Sequence, residues 1–129
     1  MKHFISVALV IVAIIHLLPV TGVLGVQSLT RLYGGDFSDP NLQILMRHRA
    51  VLFGIIGGVM LLGAFRVEYQ ILALPIGLVS VISFLILSWD VGSYNEAIRR
   101  VVLADWIALA LLVLACVVKW FVGLKSQVI

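Results

Sequence analysis

Long apolar runs alternate with short polar stretches along the chain, and that alternation sets the expected architecture. Phe4 to Val26 is apolar behind a Lys2-His3 head. Val51 to Phe65 follows a basic triplet, Ile71 to Trp89 comes third, and Val101 to Val118 is last. A hydrocarbon core about 30 Å thick needs about 20 residues of helix, a length each run reaches once its helical flanks are added. The pattern predicts helices near 4–26, 40–66, 69–89 and 97–121. Residues 1–129 are then one transmembrane domain: an all-α, integral membrane four-helix bundle in up-down-up-down order.

Local signals sharpen the boundaries. Asp39 suits an N-cap and Pro40 the first helical position of the second span. Arg66 to Gln70 is a tight link, which makes the second and third spans antiparallel neighbours. Pro19 has no N–H for the carbonyl of Ile15, so a kink is expected in the first span. Gln27 to Tyr33 suits a short amphipathic helix lying at the interface. The basic head, apolar run and Val23-Leu24-Gly25 also suit a secretory signal. Met1 heads the chain, so a retained transmembrane helix is expected.

Composition agrees: 63% of residues are hydrophobic and 12% charged, with a mean hydropathy of +1.21. Soluble domains have about 45–50% and about 25%. Cys116 stands alone, which excludes disulfide frameworks, cysteine zinc sites and the paired thiols of quinone-recycling oxidoreductases. The net charge of +3 comes from short flanks and forms no basic face, so nucleic acid is excluded as a partner. One end of the bundle carries Lys2, Arg66, Lys119 and Lys125 against Glu68. The other carries Arg31, Arg47, Arg49, Arg99 and Arg100 against Asp36, Asp39, Asp90, Glu96 and Asp105. Basic counts alone do not separate the two ends; Lys2 and the uncompensated charge on its side place both termini in the cytoplasm.

Ionisable groups within spans are candidate functional groups. Gly54, Gly57 and Gly58 share a helical face with Ala50, Arg47 and Gln43, while His48 and Arg49 point elsewhere and are expected to snorkel to lipid phosphates. Asp105 lies roughly 7 Å inside Arg100 on the last span. An unpaired carboxylate there costs about 2.5–3.5 kcal/mol, and Arg47 is its expected partner across the second and fourth spans. His16 is deepest, expected as a neutral imidazole bonded to a neighbouring helix or to a carbonyl freed by Pro19. Five arginines above apolar helices suit an amphiphile with an anionic or carbonyl head. Arg47, Arg99 and Arg100 would bind that head, Tyr94 and Asn95 would donate hydrogen bonds, and Asp105 and His16 would line the deeper wall. His3, His16 and His48 lack ligand spacing, and no cofactor or catalytic motif occurs, so neither metal nor cofactor is expected and no catalytic residue is assigned. Gly54-x-x-x-Gly58 suits close packing within one chain or between two.

An arginine ahead of a glycine-rich second span, Arg47 to Phe65, in a chain of this length resembles the DoxX-like group of small bacterial four-helix membrane proteins. The resemblance implies a bundle in a bacterial inner membrane; some members of the wider group are subunits of quinone-linked complexes. The expected function is binding of an amphiphile, lipid or quinone, or service as an accessory subunit. A second copy or a partner membrane subunit is the expected protein partner. The alternatives are a small dimeric proton-coupled transporter and a membrane enzyme that uses Asp105, Glu96 or His16 on a lipid-soluble substrate. Small multidrug exporters depend on a glutamate in their first helix; here that helix carries His16 and no acid, which ranks transport lower.

Overall fold

In the computed structural model, residues 2–127 are described, with side chains from 3 to 124; the side chains of Lys2 and Lys125, which bear on the expected orientation, lie outside the described residues. The elements are α1 (Lys2–Leu17), a 3-10 stretch (Leu18–Leu24), α2 (Val26–Tyr33), α3 (Pro40–Phe65), α4 (Gln70–Val91) and α5 (Glu96–Gln127). Four helical segments are long and apolar enough to cross a membrane: His3–Leu24, Pro40–Phe65, Val67–Val91 and Glu96–Leu124.

The first span differs from the continuous helix expected over 4–26. Its α-helix ends at Leu17, and the chain passes Pro19 as a 3-10 helix to Leu24. Tighter i→i+3 bonding is one way to carry on past a missing donor. Gly25, at φ 123°, then turns the chain into α2, a conformation favouring glycine. Asp39 caps α3 as expected, its Oδ1 accepting from the Leu42 N–H at 2.9 Å.

α1 packs on α3 and α5, and α4 packs on the same two helices, so the four close into a ring with α3 and α5 across a diagonal. The core follows helical spacing: Ile5, Ala8, Leu9, Val12 and Ala13 on α1, and Val102, Ala108, Leu112 and Ala115 on α5. A second, smaller cluster of Leu29, Tyr33 and Phe37 closes the end of the bundle beneath α2. Close approach is strongest at Gly63, where an added Cβ would stand 2.6 Å from the Ala73 Cβ. A Cβ at Gly54 would touch only Val20, at 3.4 Å, and one at Gly58 would meet nothing within 4 Å. Gly54-x-x-x-Gly58 is therefore not the tight seam inside this chain.

Asn95 ties α2 to α5. Its Oδ1 accepts from the Ile98 N–H at 2.9 Å, capping α5, and its Nδ2 donates to the Tyr33 carbonyl at 2.7 Å. Asn95→Ala removes both bonds, and loss of a cap alone costs about 0.5–2 kcal/mol. Thermal unfolding in detergent should register a loss at the upper end of that range, and an unchanged midpoint would sink the account.

Candidate functional site

Arg49, Phe53, Ile56 and Met60 make one stripe on α3, and Met60 is wholly buried. The stripe faces the bundle axis and carries Arg49 inward with it. The half-buried guanidinium sits among three rings, its carbon 4.7 Å from the centroid of Phe53, 5.2 Å from Tyr33 and 5.7 Å from Phe84. Cation–π contacts of this kind contribute about 0.5–2 kcal/mol, more as water is excluded. They hold the charge in place without neutralising it.

Across the diagonal, Asp105 lies on the core seam of α5 with 8% of its surface exposed. Arg49 stands with it on the wall of one small cavity. The two do not touch: the ion pairs within 4.0 Å among the described residues are Arg66–Glu68 and Arg99–Glu96, both exposed. Between them lies a cavity of about 20 Å³ walled also by His16, Tyr33, Phe53 and Val101. A water needs about 10–15 Å³ measured this way, so the space fits one water and no head group.

His16 closes the floor. Its Nδ1–H donates to the Val12 carbonyl at 2.9 Å, so in the neutral ring Nε2 accepts from the Ser80 hydroxyl at 3.0 Å. Both nitrogens are occupied, and the ring lies tilted at 48° to Phe53, 5.5 Å away between centroids. Tyr33, at the end of α2, is 5% exposed. Burial pushes its phenol above the usual range, and the nearby charge of Arg49 pulls it partly back.

Two apolar clefts flank this chamber, and Tyr33 is a wall of all three spaces. The larger, about 490 Å³, is lined by Arg49 on α3, by Phe84, Leu87 and Val91 on α4, and by Phe37 and Tyr94 from the connecting segments. The smaller, about 340 Å³, runs between α1, α2 and α5, past Leu18, Pro19, Val101 and Ala104, with Arg31 and Arg100 on its lining.

The residues expected to form one site are thus divided. His16 and Asp105 share the chamber; Tyr94 lines one cleft and Arg100 the other. Arg47 does not pair with Asp105: its Nε–H donates to the Val23 carbonyl at 2.9 Å, securing the end of the 3-10 stretch. The physical reason is helical phase: two residues before Arg49, Arg47 falls on nearly the opposite side of α3 and is exposed. Arg99 is held by Glu96 at 3.1 Å, and Asn95 spends both polar groups on the fold. Arg49, expected at the lipid phosphates, is the inward cation. Its sequence signal was the aromatic and apolar stripe at i+4, i+7 and i+11.

Fold and site together define a four-span, all-α membrane bundle with a charged chamber near one end. Beyond that class no relative is indicated: no family model, curated protein or solved structure shows significant similarity to the chain.

Proposed function

We propose that this protein binds a membrane amphiphile with a carbonyl or anionic head in the larger cleft, alone or as an accessory subunit of a membrane complex. Support rests on one observation. Arg49, held among three rings and in ion-pair contact with no acid among the described residues, lines an apolar cleft of about 490 Å³. Ligand sites are mostly apolar, of about 300–1,000 Å³, with few well-placed polar groups. The head would accept from Arg49, Tyr94 would border the mouth, and the tail would lie along Phe84, Leu87 and Val91. The chamber behind Arg49 is too small for substrate, so Asp105 acts on the ligand only through the guanidinium. A bacterial inner membrane with both termini cytoplasmic is the setting we propose, on the sequence grounds of the DoxX-like resemblance and the basic N-terminal flank.

Native mass spectrometry with panels of phospholipids, fatty acids and quinones tests this. The wild type should retain one class selectively, and Arg49→Gln should lose about tenfold or more in retention, as loss of a charged hydrogen bond worth about 1.5–3 kcal/mol predicts. Arg47→Gln should leave retention unchanged. Equal retention by wild type and Arg49→Gln would overturn the proposal.

A further inference from the structure

The smaller cleft has a chemistry of its own, and it does not depend on the Arg49 site. Arg31 comes from α2 and Arg100 from α5, and both line the same groove of about 340 Å³. Both are exposed, and neither has an acidic partner among the described residues. Arg100 only donates its Nε–H to the Glu96 carbonyl at 3.4 Å, and the Glu96 carboxylate is taken by Arg99. No carboxylate lines the groove, in contrast to the chamber, where Asp105 faces Arg49.

Below the arginines the walls are apolar: Leu18 and Pro19 on one side, Val101 and Ala104 on the other. Arg100 lies about 6 Å up α5 from its start, counted at 1.5 Å per residue. The arginines are thus near the headgroup level and the walls descend into the hydrocarbon. α2, which supplies Arg31, is the short polar helix at that level.

We infer that the groove between α1, α2 and α5 is a binding site for an anionic phospholipid, whose phosphate lies between Arg31 and Arg100 and whose acyl chain lies along Leu18 and Val101. Guanidinium forks match phosphate oxygens in pairs. A zwitterionic lipid would bring a cationic group to a groove that holds two cations and no acid, so the sign of the charge selects the anionic class. Free phosphate has the head chemistry but nothing to fill the walls.

The test uses the full chain in mild detergent, titrated with phosphatidylglycerol or phosphatidylcholine and read by native mass spectrometry. The wild type should prefer phosphatidylglycerol by about tenfold or more, given the attraction of two basic groups for an anionic surface. Arg31→Gln/Arg100→Gln should abolish the preference, Arg66→Gln at the opposite end of the bundle should keep it, and millimolar inorganic phosphate should not displace the lipid. Arg31 is exposed and bonds to no described residue, so Arg31→Gln alone gives a reading with the fold intact even if the double variant fails to fold; it should lose a substantial part of the preference. A wild type without preference, variants that keep it in full, or displacement by phosphate would overturn the assignment. A preference lost in Arg49→Gln and kept in Arg31→Gln/Arg100→Gln would likewise overturn it, moving the lipid to the larger cleft.

Discussion

Arg49→Ala is expected to lower the stability of the solubilised protein by about 1–3 kcal/mol, the scale of cation–π contacts partly shielded from water. The cost stays below that of breaking a buried ion pair because Arg49 is half-buried and a water-sized cavity separates it from Asp105. Two losses combine: the three ring contacts go, and Asp105 is left on a core seam without the charge that faces it. Arg49→Ala/Asp105→Ala should therefore recover part of the loss, with a coupling of about 0.5–3 kcal/mol as in other shared networks. Arg47→Ala behaves differently. It removes one exposed bond to Val23, worth about 0.5–1.5 kcal/mol, and should add to Asp105→Ala within about 0.5 kcal/mol. Thermal or denaturant unfolding in detergent reads all of these. Coupling at Arg47 and additivity at Arg49 would reverse the assignment of partners.

The second large effect is steric. Gly63→Ala places a Cβ 2.6 Å from the Cβ of Ala73, an atom fixed to the α4 backbone, with Leu9 a further neighbour at 3.3 Å. Two helices must part, and overpacking of that kind costs about 1–3 kcal/mol. Gly77→Ala meets an equal distance, 2.6 Å, but the neighbour is the Met60 Cε at the end of a flexible side chain. Its cost should fall well below that of Gly63→Ala. Gly58→Ala meets nothing, and should be neutral or gain about 0.5–1 kcal/mol in helix propensity. The ranking Gly63, Gly77, Gly58 is the expected result, and equal losses at Gly63 and Gly77 would refute the packing argument.

Run length and capping made the bundle legible before any coordinates. α3 spans Pro40–Phe65 where 40–66 was expected, α4 Gln70–Val91 for 69–89, and α5 Glu96–Gln127 for 97–121. What hydropathy could not reveal was which side of α3 faces inward. Lipid is as apolar as the core, so a spanning helix need not show a polar outer face. The glycines suggested the face of Arg47, and close approach does occur at Gly57 and Gly63. The axis, however, is faced by Met60 and hence by Arg49, which lies on nearly the opposite side of the helix from Arg47. Asn95 was more readable than its assigned role allowed: an asparagine just ahead of Glu96 and an apolar run is an N-cap signature.

The 3-10 stretch at Leu18–Leu24 has a consequence in length. Such a helix rises about 2.0 Å per residue where an α-helix rises 1.5 Å. Over the 7 residues of that stretch the first span gains roughly 3.5 Å of reach. A bilayer charges fractions of a kcal/mol for each ångström of mismatch, so this extra height suits a thicker membrane than the residue count alone would. The stretch ends at Gly25, directly before α2. Through Gly25 that stretch leads into α2, whose last residue, Tyr33, walls the chamber and both clefts.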